Sequence, residues 1–351
     1  MKVRIVLVAG AFLIFSSWAA WSVFARRAAP ELLVKLQSAP PQQPVPPNLD
    51  ALERQVREQA AELRQLSEAQ NMPQRISRET AASVALIIGD YIWTDPTGRR
   101  PLRYKGLDKN GVYLRDQDGR ESVAFEADGP IVVREFQGTG FLIDSEHVLT
   151  GGFVLAPWAA DPLLDESENP ELIPSIRTLH AYLPGVTKAL NLKIGRAAES
   201  ADAVVCVVDG GVVSGHGLVL SRSEKEQAGE PILLLGYPGG IEILASRVPD
   251  DVHYELYKFG RPSMDETAQL LAAKGYIHPI AMPSRVSGQT EDRIFFETLD
   301  STGTTGGPIM NSRGQVIAIS QSTHTAYPSF NMAVSVAPMK SWIAKARSAA
   351  R

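Results

Sequence analysis

Cysteine is almost absent from this sequence. Cys206 stands alone, so no internal disulfide can close and no thiolate zinc centre can be built. One thiol suits an oxidising compartment as well as a reducing one. Histidine is sparse too: the six in 351 residues show no metal-ligand spacing, and the expectation is a site with no metal and no other cofactor. Basic excess is lacking, since the formal net charge is −4, whereas a chain that neutralises nucleic-acid phosphates needs a surplus of Lys and Arg. No nucleic-acid partner is expected. No internal repeat is visible, which sets solenoids aside. The chain is 44% hydrophobic and only 21% charged, a balance that excludes disorder and allows one large domain with appendages.

What is there begins at the N-terminus. Residues 5–25 form an apolar run without charge, flanked by Lys2 and Arg4 before it and by Arg26 and Arg27 after it. As a helix this run is about 31 Å long, matching the roughly 30 Å hydrocarbon core of a bilayer. It reads as an uncleaved transmembrane anchor over residues 1–27; cleavage after Ala25 stays open as the alternative. A proline-rich linker over 28–47 follows, whose Pro40-Pro41 and Pro44-Val45-Pro46-Pro47 exclude helix and favour a stiff extended chain. A helix is expected over 48–70, with Asn48 as N-cap. Leu49, Leu52, Val56, Leu63 and Leu66 fall on heptad a and d positions, and Gln59 is the polar exception. Two readings are open: a short coiled coil that makes a homo-oligomer, or an amphipathic helix packed on its own domain.

From Ser83 onward the texture is short β-rich segments broken by Gly, Asp and Pro, as in an all-β sandwich or barrel. Strands are predicted over 84–88, 203–208, 231–235, 293–297 and 316–320, and hairpins over 98–128 with Asn110-Gly111 and Asp118-Gly119 as turns. A helix-forming insertion lies near 264–274 and a closing helix over 338–349.

Three segments carry a resemblance. Gly303-Thr304-Thr305-Gly306-Gly307-Pro308 resembles the nucleophile loop Gly-Asn-Ser-Gly-Gly-Pro of the trypsin-like proteases, especially the HtrA type. Gly138-Thr139-Gly140-Phe141, leading into Thr150-Gly151-Gly152-Phe153, is similar to the strand and turn that deliver the histidine base. Asp202-Ala203-Val204-Val205 resembles the strand start bearing the triad aspartate, and Gly236-Tyr237-Pro238-Gly239-Gly240 a conserved strand end of that family.

The resemblance implies a trypsin-like double β-barrel over 83–351, preceded by the transmembrane helix and the short amphipathic or coiled-coil helix. It places Thr305 at the serine position, Asp202 at the aspartate position and Phe153 where the histidine belongs. The oxyanion-hole donors would be the amides of Gly303 and Thr305, and Leu299 would floor the specificity pocket. Two of three triad roles are then altered, and losing the nucleophile or base of such a unit costs on the order of a million-fold in turnover. Ser301 lies four residues before the presented position. The function expected is therefore a membrane-anchored pseudoprotease outside the cytoplasm, periplasmic if the source is bacterial, that binds a peptide or unfolded protein. The alternatives are an atypical endopeptidase in which Thr305 attacks with His147, His180 or His216 as base, and a purely structural envelope component.

Overall fold

The computed structural model describes residues 49–166, 172–198, 202–210, 212–213, 215–223, 225–298, 304–321 and 330–349. The anchor expected over 1–27 and the linker over 28–47 lie outside these residues, as do Leu299, Ser301 and Gly303. Among the described residues no helix is long and apolar enough to cross a membrane.

The chain divides into two units, residues 1–65 and 66–351. The first holds the start of helix α1 (Leu49–Thr80), on which Leu52, Val56 and Leu63 are exposed. In the second unit the same helix runs ten residues past the predicted end at 70, straight through Pro73. Burial overrides the proline there. Met72 and Ile76 sit in the core, and the Thr80 hydroxyl donates back to the Ile76 carbonyl at 2.6 Å, so packing compensates for one missing backbone donor.

The rest of the second unit is built on two closed six-stranded barrels. The first comprises β1 (Val84–Thr94), β4 (Val133–Leu142), β5 (His147–Gly151), β6 (Ile173–Tyr182), β7 (Leu190–Ala197) and β8 (Ala203–Val208), in the order β1-β4-β5-β8-β7-β6. β9 (Pro231–Gly236), β10 (Ile280–Gln289), β11 (Arg293–Glu297), β12 (Pro308–Asn311), β13 (Val316–Ser320) and β14 (Phe330–Ser335) make the second, in the order β10-β11-β14-β13-β12-β9. Between β1 and β4 the expected hairpins form a small excursion that includes the paired β2 (Arg103–Tyr104) and β3 (Val123–Ala124). Its tips turn at Gly111 and Gly119. The insertion between β9 and β10 is larger than its sequence suggested: α5 (Met264–Ala273), opened by a Ser263–Glu266 capping box, is preceded by α3 (Gly240–Ala245) and α4 (Asp250–Tyr257). The short helix α2 (Pro162–Glu166) precedes β6.

The closing helix, α6 (Lys340–Ala349), begins two residues later than predicted. One continuous apolar core contains Leu86, Phe141, Leu149 and Val205 from the first barrel, Leu233, Leu235, Met310 and Ile319 from the second, and Ile343 and Ala346 from α6. Each of the larger side chains contributes roughly 1.5–3 kcal/mol relative to exposure. The two barrels therefore share a wall, and Thr305, the Phe153 turn and Asp202 lie along it.

Candidate functional site

Four segments that are far apart in sequence meet at this wall. Gly306 adopts φ +87°, a conformation open to glycine, and a Cβ there would strike the Thr139 carbonyl and the Thr150 hydroxyl. Its amide donates to Ser320 O at 2.8 Å, and the Gly307 amide donates to Thr304 O at 2.8 Å. Across the wall the Thr139 amide donates to Thr305 O at 2.9 Å, while the Thr150 hydroxyl donates to Thr139 O at 2.7 Å. The Tyr237 amide completes the junction by donating to Thr139 Oγ1 at 3.2 Å. The glycine loop is thus riveted to β4 and β5, with Thr304 fully buried and Thr305 half-buried. Gly138 is forced small by the same closeness, since a Cβ there would meet the Val154 side chain at 2.7 Å and Thr305 O at 3.3 Å.

Beyond β5 the chain enters a 3-10 turn, Gly152–Leu155, in which Gly152, Val154 and Leu155 are buried. Phe153 alone turns outward, 55% exposed. A phenyl ring offers no lone pair and no exchangeable proton, so it cannot take a proton from a hydroxyl. The Gly152 amide donates to Asp202 O at 3.1 Å, which brings the Phe153 turn and Asp202 side by side.

Asp202 is buried, and its carboxylate is answered by a cation. Arg293 Nη2, at the start of β11, donates to Asp202 Oδ2 at 3.0 Å, and Gln321 Nε2 donates to the Asp202 carbonyl at 3.1 Å. A guanidinium stays protonated at any working pH, so Arg293 neutralises the carboxylate and cannot serve as a base. Sequence reading missed Arg293: it lies 91 residues from Asp202 with no local pattern to mark it.

The histidines considered as substitutes have other partners. His147 is buried at the far end of β5, about 13 Å of strand from Gly151, with Nδ1 at 2.8 Å from Asp144; Asp144 in turn accepts from Arg347 at 2.6 Å. His180 Nδ1 lies 2.7 Å from Asp265 of α5, whose Oδ1 also accepts from the Tyr182 hydroxyl at 2.6 Å. His216 is exposed, and its carbonyl accepts from the Ser83 hydroxyl at 2.7 Å. Among the described residues, no group of three or more His, Cys, Asp or Glu could hold a metal ion. An apolar groove of about 600 Å³ opens beside Thr298, lined by Pro238, Ile243, Met282 and Pro283 together with Arg247 and Glu297.

Comparison with known proteins adds the following. The model of the family described as trypsin-like peptidase domain matches residues 138–319, just over half of the chain. Among solved structures, the active form of the Rv3671c protease from M. tuberculosis is similar over 77% of this chain and 83% of its own, at 14% identity and a TM-score of 0.43. Deg5 is similar over 77% of this chain and 91% of its own, at 15% identity and a TM-score of 0.42. A thiazole synthase from Bartonella tribocorum is 31% identical over 116 residues, 29% of this chain and 41% of that protein. The chain thus spans less than half of the length of that relative.

Proposed function

The chain belongs to the trypsin-like peptidase family, and from that premise we propose that it is a pseudoprotease, a peptide- or protein-binding module held at a membrane outside the cytoplasm. One observation carries the reading. The carboxylate at the aspartate position is paired with Arg293, and the side chain at the histidine position is the exposed ring of Phe153. With threonine in place of serine as well, the loss expected is on the order of a million-fold, against which the oxyanion hole and substrate binding alone retain a small residue of catalysis.

Binding has its own support. The glycine loop keeps the turn that such a cleft needs, and the apolar groove beside Thr298 suits an unfolded segment with apolar side chains. In this reading residues 1–27 anchor the chain, 28–47 space it from the bilayer, the helix over 48–70 brings copies together, and 83–351 form the trypsin-like domain. The partner is a peptide or unfolded protein.

The test is digestion of unfolded casein by the purified full-length chain beside its Thr305→Ala variant, with binding of the same casein measured in parallel. No cleavage by either form, with casein retained by both, is the expected result. The glycine turn at Gly306, with its φ of +87°, favours one competing reading, an atypical endopeptidase acting through Thr305. That reading requires cleavage that the variant abolishes, and covalent labelling of Thr305 by a serine-directed phosphonate.

A further inference from the structure

The insertion between β9 and β10 carries an exposed aromatic tip that neither barrel needs. Val252 and Leu256 hold helix α4 to the core. Its other face and the turn that follows present His253, Tyr254, Tyr257 and Phe259 to solvent, with Tyr254 at 73% and Phe259 at 93% exposure. Single exposed apolar side chains are ordinary on a soluble surface; three large aromatic rings within six residues, one of them almost wholly in water, are a patch.

Two cations stand at the tip of this patch. Lys258 Nζ lies 4.9 Å from the centroid of the Phe259 ring, and Arg261, two residues further on, is exposed. Asp250 and Asp251, in the first turn of α4, lie one turn from Tyr254 and about 12 Å from Lys258 along the helix, Glu255 is paired with Lys274 at 2.9 Å, and Arg261 lines a pocket with Glu135 and Glu242. Gly260, at φ +111° with open space where a Cβ would stand, reverses the chain so that Phe259 projects at the apex. A ring at the apex flanked by Lys and Arg is the arrangement that partitions into a headgroup layer: the aromatics enter the interface and the cations reach phosphates.

We infer that the turn over residues 257–261 docks on an anionic lipid surface. This rests on the anchoring reading above for its source of membrane. Such contact would set the orientation of the barrels above the bilayer.

The experiment uses the full-length chain reconstituted in phosphatidylcholine vesicles, with and without phosphatidylglycerol. Cys206 is fully buried and burial pushes its thiol up to about 12, so a nitroxide added to Phe259→Cys labels that position, with Asp118→Cys as the exposed reference. Anionic lipid is expected to lower the accessibility of the 259 label to a water-soluble nickel complex several-fold and to raise its collisions with oxygen. The 118 label should not change, and Lys258→Glu with Arg261→Glu should return the 259 label to water. A 259 label as wet as the 118 label in both vesicles overturns the inference. So does one shielded from both quenchers regardless of lipid, because a protein contact would then cover it. Flotation of the unlabelled chain in alkaline carbonate tests the anchor separately: loss from the vesicles sinks the anchoring reading, whereas retention with a wet 259 label sinks only the docking turn.

Discussion

A carboxylate out of water must be either neutralised or paired, and Asp202 is paired with Arg293, their side chains only 12% and 23% exposed. Arg293→Met leaves that charge stranded and should lower stability by about 3 kcal/mol, read as a shift in the urea midpoint. Adding Asp202→Leu should recover most of the loss, because replacing both partners by apolar groups is often neutral. How legible the site was in sequence depends on the kind of constraint at each residue. Gly306 was legible because its positive φ restricts the residue type, and Asp202 because it opens a strand with a family-like start. Arg293 was not, since a long-range ion pair leaves no periodic or local trace. His147, named from sequence as a possible substitute base, lies on β5, buried against Asp144.

Among the elements, α5 is fastened to β6 by the pair His180–Asp265. The hydrogen bond that His180 donates to the Asp265 carboxylate raises His180 above its ordinary value, against the opposing effect of burial. Burial raises the Asp265 carboxyl, and the hydrogen bonds with His180 and Tyr182 more than reverse this. The stability contributed by His180 is therefore complete below its unfolded value near 6.5 and is lost as pH rises through its higher folded value. Thermal melts from about pH 6 to about pH 9 should fall more steeply for the wild type than for His180→Gln, which has nothing to titrate at that position. The β strands were legible where apolar residues run together, as in β8 and β13, and in β11 where Ile294, Phe295 and Phe296 are consecutive. β6 and β10 escaped because Pro174 and Pro283 interrupt them and polar residues alternate along them. β7 escaped because seven of its eight residues are not buried, so no run of apolar side chains marks it.

For the molecule as a whole, the proposed assembly rests on helix α1, where Leu52, Val56 and Leu63 are 51%, 57% and 67% exposed. Full-length chain in detergent should sediment as an oligomer, and Leu52→Glu with Leu63→Glu should return it to a monomer, since a charge at a or d opposes the seam. The family resemblance made the two-barrel plan legible, but not the way in which the chain closes on itself. Helix α6 follows the last strand of the second barrel, yet Arg347 grips Asp144 of the first, and Ile343 and Ala346 enter the core with Leu149 and Val205. A polypeptide emerging from its N-terminus delivers every strand of the first barrel more than a hundred residues before this strap arrives. Until then the apolar patch that α6 covers stays wet. Vectorial synthesis thus delivers the strands of both barrels before the one late helix that covers their shared core.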